Sequence, residues 1–105
     1  MNCQKLQRIG ENAFTNCSSL TSINCDRILS VGSGAFRYTN LYKLEWYNAT
    51  DIGAGAFADC LQLKSVDLYR LPAVSADTFI RCTNLVSVYL PAVNEIGSAA
   101  FAYCD

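Results

Sequence analysis

Histidine is absent from this chain of 105 residues. No triad or dyad built on an imidazole base can form, and a principal zinc ligand is missing. No Cys-x-x-Cys pair occurs, and the 6 cysteines are spread along the chain rather than gathered as converging ligands. Charge is sparse at 16%, with 8 basic and 9 acidic residues intermixed and a formal net charge of -1. That pattern lacks the basic run of a nucleic-acid or membrane-surface binder. No stretch approaches the roughly 18 apolar residues of a membrane-spanning helix. The opening Met1-Asn2-Cys3-Gln4-Lys5-Leu6 has no apolar core of signal-peptide length. Apolar residues make up 51% of the chain, too many for intrinsic disorder. The length fits one domain over residues 1–105.

What is present is a repeat. Phe14, Phe36, Phe57, Phe79 and Phe101 are spaced by 22, 21, 22 and 22 residues, and alanine precedes all but Phe79. Five residues before each stands a β-branched residue, Ile9, Val31, Ile52, Val74 or Ile96, followed by Gly10, Gly32, Gly53, Ser75 or Gly97. Eight before stand Leu6, Ile28, Ala49, Leu71 and Val93. Three after stand Cys17, Thr39, Cys60, Cys82 and Cys104. A period of this size means stacked coils that bury apolar residues only against their neighbours. Ile23-Asn24-Cys25, Leu44-Glu45-Trp46, Val66-Asp67-Leu68 and Val88-Tyr89-Leu90 alternate at period two, which predicts one short half-buried strand per coil in a parallel sheet. The Gly-x-x-Ala-Phe segment predicts a tight turn and a short helical or 3₁₀ turn that drops phenylalanine inward. Trp46 shares the inward phase of Cys25, Leu68 and Leu90 and is expected in the core.

The string Ile-Gly-x-x-Ala-Phe-x-x-Cys-x-x-Leu-x-x-(Ile/Val), seen from Ile9 to Ile23 and Ile52 to Val66, resembles the BspA-like (Treponema pallidum-type) leucine-rich repeats. Val74 to Val88 follows it with Ser75 and Thr78 in place of glycine and alanine, and Thr39 replaces cysteine in another coil. The resemblance implies an α/β solenoid of 4–5 repeats: a right-handed coil with a parallel β-sheet on one face and short helical or 3₁₀ turns opposite. It also implies a non-enzymatic, adhesion-type protein-binding module of a cell-surface or secreted protein, with a host or matrix protein as partner.

The cysteines fall into two phases and are expected to be free thiols acting as small apolar groups. Serines and aspartates are scattered. Asp51, Asp59 and Asp77 fall where loops or turns are expected. Glu45 and Asp67 share a column but read as two solvated charges. The strings Gly32-Ser33-Gly34 and Gly53-Ala54-Gly55 recur at the turn phase and match no phosphate loop. No catalytic residue, cofactor or metal is expected. The acceptors Asn16-Cys17-Ser18 and Asn48-Ala49-Thr50 sit beside inward phases and are weak glycosylation signals.

A partner would meet the outward strand residues. These form three columns: Ser22, Lys43, Ser65, Ser87; then Asn24, Glu45, Asp67, Tyr89; then Gln4, Asp26, Tyr47, Tyr69, Pro91. Tyr47, Tyr69 and Tyr89 among Asp26, Lys43, Glu45 and Asp67 are the candidate partner-binding set, because aromatic side chains are enriched in interface cores. The alternative function is a structural spacer within a larger protein. Neither end, Asn2-Cys3-Gln4 or Cys104-Asp105, shows a polar cap. The chain is expected to be a segment of a longer array, or else to self-associate through uncapped ends.

Overall fold

A computed structural model describes residues 3–104 of the chain. Its strands are β1 (Arg8–Ile9), β2 (Ser30–Val31), β3 (Lys43–Trp46), β4 (Asp51–Ile52), β5 (Ser65–Leu68), β6 (Ala73–Val74), β7 (Ser87–Tyr89) and β8 (Glu95–Ile96). They build a parallel-strand solenoid of about four turns. β3, β5 and β7 form one sheet in the register read from sequence, with Leu44 opposite Val66 opposite Val88 and Glu45 opposite Asp67 opposite Tyr89. The first period-two stretch forms only a single bridge, at Asn24. The strand expected at Asn2-Cys3-Gln4 lies partly outside the described residues, as does Asp105.

Each coil carries a second strand where one was expected. The β-branched residue before each glycine sits in a two-residue strand: β1, β2 and β4 pair in parallel, and β6 pairs with β8. These strands are too short for period-two reading. The ladder is interrupted between β4 and β6, and the sequence departs from glycine at that step. Gly32, Gly53 and Gly97 each donate an amide hydrogen bond to the β-branched residue of the preceding coil, at 2.7, 2.8 and 2.6 Å. A Cβ at Gly53 or Gly97 would come within 2.5 or 2.7 Å of backbone nitrogen in that coil. Ser75, which has a Cβ, instead donates its hydroxyl to the Ile52 carbonyl at 2.7 Å. Glycine at this phase therefore opens the tight turn expected there without a positive φ, and serves close backbone approach.

The opposite face contains no helix among the described residues, which corrects the expected helical or 3₁₀ turns. Residues two before each phenylalanine (Asn12, Gly34, Gly55, Asp77, Ala99) and two after it (Asn16, Tyr38, Asp59, Arg81, Tyr103) all have φ between 56° and 64°. A left-handed residue every four positions stops a helical run. The segment instead folds as consecutive β-turns, closed in the first coil by amide bonds from Ala13 to Gly10, Thr15 to Asn12 and Cys17 to Phe14. The intervening amides leave the coil. Those of Asn12, Phe14 and Asn16 donate to the carbonyls of Ser33, Ala35 and Arg37 at 3.0, 2.8 and 2.8 Å, and the pattern repeats at each step. Because every coil shares the conformation, it is a property of the repeat and not strain stored at one site.

The core is the phenylalanine spine. Successive rings stack at 5.3, 5.3, 5.5 and 5.3 Å, within 12° of parallel. Trp46 is buried against Phe36 and Phe57 at 6.2 and 5.9 Å, tilted by 55° and 56°. All 6 cysteines are free. Cys60, Cys82 and Cys104 donate to the carbonyls of Phe36, Phe57 and Phe79 in the preceding coil, and Thr39 contacts Cys60 at 3.4 Å. Three inward assignments fail at the end coils: Cys17, Val88 and Ile96 are exposed. Each lies in a terminal coil that only one other described coil covers.

Candidate functional site

The exposed face of the β3-β5-β7 sheet carries most of the candidate set. Pleating sends Leu44, Trp46, Val66 and Leu68 inward, so Lys43, Glu45, Ser65 and Asp67 alternate outward. Tyr47 and Tyr69 follow β3 and β5 at equal phase and stack face to face, with ring centroids 4.6 Å apart and 5° between planes. Tyr89, on β7, meets Tyr69 edge-on at 5.7 Å and 74°. Tyr47 and Tyr89 are 52% and 53% exposed, far more than the wholly buried rings of Phe36, Phe57 and Phe79. The Tyr47 hydroxyl donates to Glu45 at 3.4 Å, and Lys43 pairs with the same carboxylate at 3.7 Å. Partial desolvation, then the neighbouring Tyr47, Asp67 and Glu45, push the Tyr69 phenol up from its usual range. Asp26 lies outside this sheet, exposed in the turn after Cys25.

The face is shallow. A depression of about 180 Å³ beside β3 is lined by Ser22, Ile23, Asn24, Tyr42, Lys43 and Glu45. Small-molecule pockets start at roughly 300 Å³. Every buried side-chain nitrogen and oxygen among the described residues has a hydrogen-bond partner, so no orphaned polar atom awaits a ligand. No group of three potential metal ligands occurs among the described residues either. The geometry suits contact with a surface rather than enclosure of a molecule.

The turn face carries one cluster that sequence reasoning left among the loop aspartates. Asp59 is buried and accepts a two-point hydrogen bond from Arg81, Nε to Oδ1 at 2.5 Å and Nη2 to Oδ2 at 3.0 Å, while Arg37 Nε lies 3.7 Å away. The hydrogen bond from Arg81 holds the Asp59 carboxyl below the usual aspartate value, against a smaller desolvation effect that raises it. The available signal was opposite charge at one repeat phase: Asp59 and Arg81 both stand two residues after phenylalanine in adjacent coils. Its chemistry is structural, since the carboxylate is consumed by the arginines.

Stacked coils with a parallel sheet and a one-residue-per-coil aromatic spine define a leucine-rich repeat solenoid. The chain belongs to the family described as BspA type leucine rich repeat region, whose profile matches residues 2–105 in 6 copies. Among solved structures it is similar to a leucine-rich repeat protein from Bacteroides ovatus ATCC 8483, with a TM-score of 0.65 and 23% identity. The match covers 96% of this chain and 33% of that one, so the chain spans about a third of that protein's length. No curated protein matches.

Proposed function

We propose that the chain is a non-enzymatic protein-binding module, of the adhesion type, acting at a cell surface or in a secreted protein. The observation that carries this reading is the Tyr47–Tyr69 stack with Tyr89 on its edge, exposed beside Glu45 and Asp67. Rings already held against each other lose little freedom on docking, which lowers the entropic cost of association. Their paired faces leave ring edges for a partner, with Glu45 and Asp67 beside them, so the fit is to a protein surface offering apolar contact and cationic side chains. A host or matrix protein is the expected partner class.

The test is capture of extracellular matrix and host-surface proteins by the chain, beside a Tyr47→Ala/Tyr69→Ala variant with unchanged circular dichroism and unfolding curve. Capture that is lost in the variant and weakens with added salt is the expected result. Equal capture by both chains, or none by either, overturns this surface and favours a spacer.

A further inference from the structure

Of the tyrosines in this chain, Tyr47 and Tyr69 alone lie face to face among the described residues. They stand one coil apart at equal phase, with ring centroids 4.6 Å apart and planes 5° from parallel. Parallel pairing sets Trp46 opposite Leu68, and the Tyr69 amide donates to the Trp46 carbonyl at 3.2 Å, so both rings leave backbones held one strand spacing apart. Tyr89 presents only an edge, at 5.7 Å. Tyr38 faces the Arg37 guanidinium, and neither it, Tyr42 nor Tyr103 has a tyrosine ring against it among the described residues.

The pair is reachable and has a proton acceptor in place. Tyr47 is 52% exposed and Tyr69 half-buried. The Tyr47 hydroxyl donates to Glu45 Oε2 at 3.4 Å, whereas Lys43 pairs with Oε1 at 3.7 Å. Removing an electron from a phenol makes its O–H strongly acidic, and a carboxylate already bonded to it receives the proton. A radical formed on either stacked ring then has its coupling partner in contact, without waiting for a second chain.

We infer that Tyr47 and Tyr69 form an oxidative coupling site, at which hydrogen peroxide acting through a haem peroxidase joins adjacent coils by a carbon–carbon bond, with Glu45 receiving the Tyr47 proton. Each phenol gives up one electron and one proton, and the peroxide takes both pairs and leaves as two molecules of water. The two phenoxyl rings join at carbons ortho to oxygen. The hydrogen on each of those carbons moves to oxygen, which restores two phenols. The bond ties one coil covalently to the next in a fold whose 6 cysteines are free. This inference does not rest on the partner-binding reading of the same face.

The test treats the dilute 105-residue chain with haem peroxidase and hydrogen peroxide, after iodoacetamide has blocked the exposed Cys17 thiol that would quench the radical. Dityrosine fluorescence, intact mass and peptide mapping read the product. Tyr47→Phe, Tyr69→Phe and Tyr89→Phe keep a ring at each position but remove the phenol, and Glu45→Gln removes the proton acceptor. The parent is expected to yield single chains lighter by two hydrogens, with the new bond between the Tyr47 and Tyr69 peptides. That product should be lost in Tyr47→Phe and in Tyr69→Phe, persist in Tyr89→Phe, and form more slowly in Glu45→Gln. No product while free tyrosine in the same mixture couples, coupling chiefly between chains, or a bond mapped to any other pair overturns the site. A Glu45→Gln rate equal to the parent's overturns the role given to Glu45.

Discussion

Replacing Phe57 by alanine tests the aromatic spine at the position where it is most complete. The ring is fully buried, stacked on Phe36 at 5.3 Å and Phe79 at 5.5 Å, and met by Trp46 at 5.9 Å. Truncation of a buried phenylalanine costs roughly 3–5 kcal/mol. Here the upper part of that range applies, about 4–5 kcal/mol, because the neighbouring rings belong to coils fixed by their own backbone ladders and cannot collapse into the cavity. A domain of this length has roughly 5–15 kcal/mol in total, so the variant retains little or no margin. Phe14→Ala is the internal control. Phe14 is half-buried with one stacked partner, which gives about 1.5–2.5 kcal/mol from area and a single ring pair. Urea unfolding followed by Trp46 fluorescence and by circular dichroism reads both, and the two probes must coincide for a two-state free energy. A Phe57→Ala cost below about 1.5 kcal/mol, or one no larger than that of Phe14→Ala, would refute the spine as a principal source of stability.

Three further outcomes follow from the packing. Asp59→Asn should cost about 1.5–3 kcal/mol at neutral pH through loss of charge-assisted bonds. Because the folded carboxyl lies below its ordinary value of 3.8, its contribution is full above that pH and is lost as pH falls through the folded pKa, so acid titration of stability should flatten in the variant. Gly53→Ala should cost about 3 kcal/mol from backbone overlap, against about 1 for Gly55→Ala, where φ is +64° but nothing lies within 4 Å; urea midpoints decide between them. A thiol reagent should modify Cys17 readily in the folded chain and reach Cys60 and Cys82 only on unfolding, since burial pushes both buried thiols up from their usual range. The denatured, unreduced chain should then return 6 thiols, and fewer would mean a disulfide.

What could be read in advance was whatever recurs at fixed phase with one kind of side chain. The rings and the strand register of Leu44, Val66 and Val88 recur and appear in the fold as read, whereas the β-branched column turned out to form a second strand and is exposed at Ile96. The turn face was misread for a physical reason. Asn12, Gly34, Gly55 and Asp77 tolerate φ > 0, which hints at turns, but Tyr38, Arg81 and Tyr103 do not favour it. At Tyr38 and Arg81 this conformation goes with amides that donate to the next coil, a contact carried by the neighbour and absent from any local window of sequence. The same cause hid the second strand of each coil. Two residues cannot display a period, and β1, β2 and β4 exist only because each lies beside the next.

A repeat makes the residue one period away the natural partner of every side chain, so surface chemistry is decided column by column. Two phases after phenylalanine, the column reads Tyr38, Asp59, Arg81, and its charges are spent on each other: Arg81 meets both Asp59 oxygens, and Arg37 stands beside them. The column just past the strands reads Tyr47 then Tyr69, and its rings stack through their faces while the Tyr47 hydroxyl donates to Glu45. The first arrangement ties coils together through the Asp59 carboxylate, beside a depression of about 270 Å³ lined by Arg37, Asp77 and Arg81. The second ties coils together and leaves Tyr47 and Tyr89 about half exposed beside Glu45 and Asp67, and this exposed aromatic surface is why the sheet face is the place we propose to look for a partner.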